Sequence, residues 1–374
     1  MAAVPWPIWC AVLAVTSAII GGQWDISWHR SIGRDTFWTP AHMAIYLCGV
    51  LAGLASGWLI LSTTFARSQN ARAASVRMWG LYGPLGAFIA AWGGVAMLTS
   101  APFDNWWHAA YGLDVRIISP PHTLLALGVV AVQLGALILI LGRMNRAQGA
   151  ERRWLRALFL YVGGIMVAGQ LTFILEFTDR SMMHSAIFYR VVALAIVLVL
   201  CALARAAGGR WPMTSMAAVY TVLTLAFEWI LPLFPAEPKL GPVYQKVTHF
   251  IPNGFPILIL APALALDLLW ARAGDLARWR LAAASGAVFL LALLLVQWPF
   301  GDFLMSEASR NWVFGTHYRS YFEHPGWYSA RNLFQPYEHT RGQLWAGLAV
   351  ALGCAMVTSF LGLLWGDWMR RIRR

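Results

Sequence analysis

WDISWHRSIGRDTFWTPAH, residues 24–42, is a polar and aromatic stretch that lies between two long apolar runs. It carries Asp25, His29 and His42, whose side chains are common ligands of metal ions. Two apolar runs of membrane-spanning length on either side predict a helical hairpin with this stretch at a membrane surface.

A second stretch, FDNWWHAAYGLDVRIISPPH at residues 103–122, repeats the same frame with Asp104, His108 and His122. Both copies read Asp-x3-His-x3-Gly-x-Asp and then Ser/Thr-Pro-x-His, and the second copy has one extra residue before its Ser-Pro. A long frame with this many identities is hard to obtain by chance. We therefore interpret the two stretches as two metal sites built on one template.

The composition predicts a polytopic membrane protein of the all-α class. The chain of 374 residues is 59% hydrophobic and 12% charged, with a mean hydropathy of +0.59, whereas a soluble domain is about half apolar and about a quarter charged. Its four cysteines are far apart and form no C-x-x-C pair, which argues against a disulfide framework or a thiolate metal site.

About ten apolar runs are long enough to form a transmembrane bundle. They lie at residues 5–23, 40–64, 78–101, 120–142, 154–176, 184–206, 212–234, 250–271, 279–298 and 342–368. We divide the chain into a four-helix metal-site region, 1–142, and further transmembrane helices, 143–374, with a long aromatic loop at 299–341.

The distribution of charge predicts the topology. Loops 65–77, 143–153, 207–211 and 272–278 are rich in Arg, which predicts that both termini are cytoplasmic. The histidines then lie at or near the outer face. A net charge of +12 without a nucleic-acid-binding motif predicts no nucleic acid partner. Pumps and ion-coupled transporters usually need ionisable groups or broken helices at mid-membrane depth, and these apolar runs are almost free of charge there.

Local geometry explains how each motif could converge on one ion. Asp25 and His29 share a helix face if the first helix continues past the bilayer. Thr39-Pro40 is a helix start, which puts His42 in the first turn of the second helix. Ser119-Pro120 repeats this start for His122. Two imidazoles and a carboxylate leave coordination positions open, as in catalytic sites, and suit copper, iron or zinc.

Other polar residues near the outer face are less suited to bind a metal ion directly. Asp35 and Asp114 recur after the shared Gly, and we expect them to support the ligands by accepting a ring N–H or by pairing with Arg. An interfacial salt bridge remains the alternative for each Asp/His pair. A third and a fourth hairpin lack the Asp-x3-His spacing, and structural contacts are favoured for their residues, which are Glu176, Asp179, His184, Glu228 and His249.

The run DISWHRSIGRDTFWTPAH resembles the signature of the C subunit of membrane-bound copper monooxygenases, the particulate methane and ammonia monooxygenase family. The family pattern of a copper site corresponds here to Asp25, His29 and His42. A second family site has the spacing of Asp104, His108 and His122, with Asp104 where the family has Asn. The resemblance covers about residues 1–142. The chain contains no cupredoxin-like segment such as the B subunit of that family provides.

The resemblance implies a bacterial inner-membrane enzyme with copper sites at the periplasmic face. It would hydroxylate a small apolar substrate or ammonia with O2, and a quinol would supply electrons. Further monooxygenase subunits or a homo-oligomer are implied partners. Two alternatives remain open: a non-catalytic copper-binding protein for metal acquisition or oxidase assembly, and an iron or zinc membrane enzyme that uses the same two sites.

Overall fold

The computed structural model describes residues 4–33, 36–66, 72, 75–112, 119–179, 182–239, 247–304, 306–315 and 338–373. This part of the chain is mostly helical, as predicted, and nine of its helices are long and apolar enough to cross a membrane. The structure therefore confirms the all-α class and the helices expected of a multi-pass membrane protein.

The described residues form eleven α-helices. In chain order they are α1 Trp6–Ser31, α2 Pro40–Thr64, α3 Leu85–Tyr111, α4 Pro120–Met144, α5 Gly149–Phe173, α6 Leu175–Thr178, α7 Ala186–Ala207, α8 Pro212–Ile230, α9 Leu260–Arg272, α10 Arg278–Leu304 and α11 Arg341–Met369. Helix α7 contains a π-helical turn at Ala193–Val197. Most predicted boundaries are confirmed to within a few residues.

Three helices end later than predicted: α1 at Ser31 rather than residue 23, α3 at Tyr111 rather than 101, and α10 at Leu304 rather than 298. Two predicted helix starts also need correction. The helix predicted from residue 78 begins at Leu85, because β1 (Val76–Met78) and β2 (Leu81–Gly83) form a short antiparallel hairpin before it. The helix predicted over 250–271 is wrong in its first half, since regular helix begins only at Leu260. Pro252, Gly254 and Pro256 explain this break, because proline lacks the N–H that a helix needs and glycine disfavours it.

The chain forms two compact units. The first contains residues 1–22, 36–166 and 368–374, and the second contains 23–35 and 167–367. The predicted division after residue 142 followed the motifs, whereas these units follow the packing of the backbone. The predicted aromatic loop at 299–341 falls in the second unit, where α10 continues to Leu304 and residues 316–337 lie outside the described part of the chain.

Close packing of α3 against α4 is the main feature of the first unit. A Cβ added to Gly93 would lie 2.7 Å from the carbonyl oxygen of Gly128 and from the backbone nitrogen of Val132. Only glycine allows such an approach, and small residues are the usual means of bringing membrane helices together. This contact brings the C-terminal half of α3 alongside the N-terminal half of α4, where the second motif lies.

Candidate metal centre

The second motif is assembled within the first unit, at the end of α3 and the start of α4. Asp104 and His108 lie one turn apart on α3, and His122 lies in the first turn of α4. The Nε2 atom of His108 is 3.4 Å from Asp104 Oδ2, and the Nε2 atom of His122 is 3.5 Å from Asp104 Oδ1. One carboxylate thus faces both imidazoles.

The start of α4 is built as predicted, and the end of α3 has a glycine. Ser119 is extended at the N-cap of α4, and its hydroxyl oxygen accepts a hydrogen bond of 3.4 Å from the backbone N–H of His122. Gly112 closes α3 with a φ of +87°, a conformation that glycine adopts at little cost. Gly33 of the first motif also has a positive φ, +97°, so the Gly shared by both motifs follows the end of a helix in each.

Backbone contacts indicate the protonation of His108. Its Nδ1 atom is 3.2 Å from the carbonyl oxygen of Gly112, which can only accept a hydrogen bond, so the ring proton belongs on Nδ1. In a neutral ring the Nε2 lone pair then faces the Asp104 carboxylate. The Nε2 atom and the carboxylate are then two acceptors that face each other, unless a second proton or a metal ion lies between them. Histidines that bind a metal ion usually donate their other ring N–H to a carboxylate, a backbone carbonyl or water, as His108 does to Gly112.

Two polar atoms of this site are buried without a hydrogen-bond partner among the described residues, Asp104 Oδ1 and His122 Nδ1. Such atoms are uncommon in folded proteins and call for an ion, a water molecule or a functional role. Within the same described residues, however, no three His, Cys, Asp or Glu side chains converge closely enough to hold one metal ion together. The site is therefore two Asp–His pairs that share a carboxylate.

The residues of the first motif are divided between the two units. In the second unit α1 continues to Ser31, which confirms that Asp25 and His29 share a helix face, and their Oδ2 and Nε2 atoms are 3.7 Å apart. In the first unit His42 lies in the first turn of α2, with Nδ1 3.1 Å from the carbonyl oxygen of Thr36. Thr39 is the N-cap residue, but its hydroxyl makes no capping hydrogen bond.

The remaining predicted residues have separate surroundings. Asp35 and Asp114 lie outside the described residues. In the second unit His184 Nε2 is 3.3 Å from Asp302 Oδ1 and 3.2 Å from the carbonyl oxygen of Trp298. His249 pairs through its backbone with Pro235 and through its ring with Thr248.

Sequence reasoning missed a buried polar network in the second unit. Asn253 donates through Nδ2 to the backbone oxygen of Gln23, and Glu228, which is 1% exposed, accepts from the N–H of Gly254. The signal that could have revealed it is the sequence Pro-Asn-Gly-Phe-Pro at 252–256, which interrupts an apolar run.

Comparison with known proteins does not assign the chain to a family. No family model, no curated protein and no solved structure matches it.

Proposed function

We propose that this protein is a membrane-bound, copper-dependent monooxygenase, or the metal-bearing subunit of one, with Asp104, His108 and His122 as ligands of a functional metal ion. The observation that carries this proposal is that the Nε2 atoms of two histidines from different helices face one carboxylate, at 3.4 and 3.5 Å. Copper is the ion that the family resemblance implies, and iron and zinc have the same preference for imidazole.

Each of the two spacings fits a pair of metal ligands better than a hydrogen-bonded salt bridge. A charge-assisted N–H···O hydrogen bond measures about 2.7–2.9 Å. Two ligand atoms of a tetrahedral ion with bonds of about 2.0–2.1 Å lie about 3.3 Å apart. The observed 3.4 and 3.5 Å are closer to the second value. Ligation by all three side chains at once goes beyond these pairwise spacings and is part of the proposal.

The aromatic residues around the second motif support an apolar substrate. Trp107 lies 4.5 Å from Tyr111 and 6.1 Å from Phe103, measured between ring centroids, so one side of the α3 terminus is covered by aromatic rings. Such a surface would offer apolar contacts to a small substrate and would limit the access of water to the neighbouring carboxylate and imidazoles. Bound copper would supply the redox chemistry that activates O2.

The roles of the protein side chains follow from their contacts. The Gly112 carbonyl keeps the proton of His108 on Nδ1 and so keeps Nε2 available as a ligand. Asp104 would offset the charge of the ion and fix both rings in orientation. We further propose that this site and the Asp25/His29/His42 motif lie at the outer face of a bacterial inner membrane, and that a quinol donates the electrons.

Metal analysis of the full-length protein in detergent tests the assignment. After copper loading, the wild type is expected to hold stoichiometric copper with nitrogen hyperfine coupling in its EPR spectrum, and His108→Ala to lose the copper of this site. Asn105→Ala, which changes an exposed neighbour on α3, is the matched control. A loaded wild type without stoichiometric copper, or a His108→Ala variant with the full amount, contradicts the proposal.

An activity measurement separates the monooxygenase from a copper-binding protein without catalysis. With O2, a quinol and either a short-chain hydrocarbon or ammonia, the wild type is expected to form the hydroxylated product, and His108→Ala is not. Copper binding that depends on His108 without product formation by the protein or its complex would favour the non-catalytic alternative.

A further inference from the structure

We propose that the second unit contains a binding site for a small monovalent cation, in a pocket beside the break in the predicted membrane helix 250–271. We call it the broken-helix pocket; the residues from the break that line it are Asn253, Gly254, Phe255 and Ile257. This proposal does not depend on the metal centre proposed above, because it uses none of the six motif residues.

The break shortens a membrane element. Helix α9 has 13 residues and is therefore about 20 Å long, against about 30 Å for the hydrocarbon core. Non-helical backbone occurs at membrane depth where it is buried in protein or lines a polar cavity. In transporters whose membrane helices are broken, such breaks form the sites for ions and substrates.

Side chains from other helices satisfy the backbone of the broken segment. The hydrogen-bond acceptors for its N–H groups are Ser31 Oγ for Ile251 at 2.7 Å, Glu228 Oε2 for Gly254 at 3.1 Å, Tyr220 OH for Ile257 at 2.9 Å and Gln297 Oε1 for Leu258 at 2.9 Å. Four separate polar side chains are needed to hold this one segment. Burying polar groups costs free energy unless they are paired by hydrogen bonds. Here they are paired, and the hydrogen bonds keep the segment in a defined conformation.

The broken-helix pocket has a volume of about 50 Å³. A cavity needs about 10–15 Å³ to hold one water molecule, so this pocket has room for a few waters or for one small ion with part of its hydration shell. Its polar lining comes from seven residues: Gln23, Thr172, Thr178, Asp179, Tyr220, Thr224 and Asn253.

Several hydrogen-bond donors of this lining are used within the protein. Gln23 Nε2 donates to Thr172 Oγ1 at 2.6 Å, Thr172 Oγ1 donates to the carbonyl oxygen of Ala168, and Asn253 Nδ2 donates to the backbone oxygen of Gln23. Thr224 Oγ1 lies beside the Tyr220 hydroxyl, but it is buried and meets the geometry of a hydrogen bond with no described residue. The lining therefore offers mainly oxygen atoms to a ligand.

Charge selects a cation over a neutral ligand. Asp179 lines the pocket, and the Glu228 carboxylate contacts the lining residue Gly254, whereas none of the described lining residues is Lys, Arg or His. The nearby Arg30 guanidinium donates to the carbonyl oxygen of Asn253 and is not part of the lining.

Ligand type selects the class of cation. Oxygen ligands without imidazole or thiolate suit hard ions rather than copper or zinc. A calcium site would need six to eight oxygen ligands, several of them carboxylates. A monovalent ion such as sodium or ammonium fits this smaller set of charges.

Thermal unfolding of the full-length protein in detergent tests the proposal, with sodium, potassium, ammonium and choline chlorides compared at equal ionic strength. A ligand that binds the folded protein raises the unfolding midpoint. We expect at least one of the three small cations to raise it by about 3 °C or more relative to choline. The salt with the largest shift distinguishes an alkali metal ion from ammonium.

Variants of pocket residues test whether the cation-dependent rise of the unfolding midpoint arises from this pocket. Thr224→Val and Asp179→Asn are expected to remove most of the cation-dependent shift. Thr221→Val on the same helix and Glu307→Gln, an exposed acid outside the lining, are expected to keep it. If a variant fails to fold, the other one and isothermal titration of the wild type with the same salts decide the question. Equal midpoints in all four salts, or a full shift in both pocket variants, would overturn the proposal.

Discussion

The carboxylate of Asp104 lies 3.4 Å from His108 on its own helix and 3.5 Å from His122 on the next helix. Removing this carboxylate should therefore disturb both imidazoles at once. We expect Asp104→Ala to weaken copper binding by at least about 10- to 100-fold, the loss that follows from changing even a supporting group of a metal site. Equilibrium titration against a competing chelator measures this, and Asn105→Ala should bind as the wild type does. Unchanged affinity in Asp104→Ala would show that the carboxylate does not bind the ion.

Ser119 connects the start of α4 with the position of His122, since its hydroxyl accepts from the His122 N–H. Ser119→Ala should lower the free energy of unfolding by about 1 kcal/mol, the usual cost of losing an N-cap. It should also weaken metal binding, because the first turn of α4 would fray. Ser119→Asn keeps a capping oxygen and should restore both properties, measured by thermal unfolding and copper titration. A loss in Ser119→Asn as large as that in Ser119→Ala would contradict a capping role.

Gly93 allows the close approach of α3 and α4. In Gly93→Leu the Cβ atom alone would lie 2.7 Å from the Gly128 carbonyl oxygen and from the Val132 backbone nitrogen, so the two helices must separate. We expect a lower unfolding temperature and loss of the copper site, because Asp104 and His122 belong to the two helices that this contact joins. A Cβ at Gly57 in α2 meets nothing within 4 Å, and Gly57→Leu is therefore the control that should fold and bind copper normally. Equal unfolding temperatures and equal copper binding in the two variants would contradict the claim that Gly93 is needed for the approach of α3 and α4.

The first motif is tested by comparing its two parts. If Asp25, His29 and His42 bind one ion, Asp25→Ala and His42→Ala should each remove the same fraction of the copper and the same EPR signal. Oxidation of the substrate should also be lost in both variants. A variant with full copper content and full activity would exclude its residue from the ligand set.

Tyr220 accepts the N–H of Ile257 in the broken segment at 2.9 Å. Tyr220→Phe would leave this buried N–H without its acceptor, which costs about 1–3 kcal/mol. We expect an unfolding temperature several degrees lower than that of the wild type. Tyr111→Phe changes an exposed tyrosine and should be nearly neutral. A neutral Tyr220→Phe would mean that the segment does not depend on this hydrogen bond.

Much of the fold was predictable from the pattern of apolar runs, because a bilayer requires helices of a certain length and composition. The start of α2 at Pro40 and of α4 at Pro120 followed from a capping residue and a proline that fixes φ. The pairing of Asp104 with His108 followed from helical periodicity, since residues four apart share a face. These are local properties, and the sequence alone determines them.

Other features required the tertiary structure. Hydropathy predicted a membrane helix over 250–271, but Pro252, Gly254 and Pro256 interrupt the first half of that helix. The backbone N–H groups of this segment are instead bonded by acceptors from distant parts of the chain: Ser31, Glu228, Tyr220 and Gln297. Likewise, the 3.5 Å between Asp104 and His122 depends on the glycine contact that brings α3 and α4 together. The sequence by itself determined most of the helical segments and the local pairs, such as Asp104 with His108, that share a helix face. Only tertiary packing decided which polar groups meet, because buried hydrogen bonds between distant segments leave no regular spacing in the sequence.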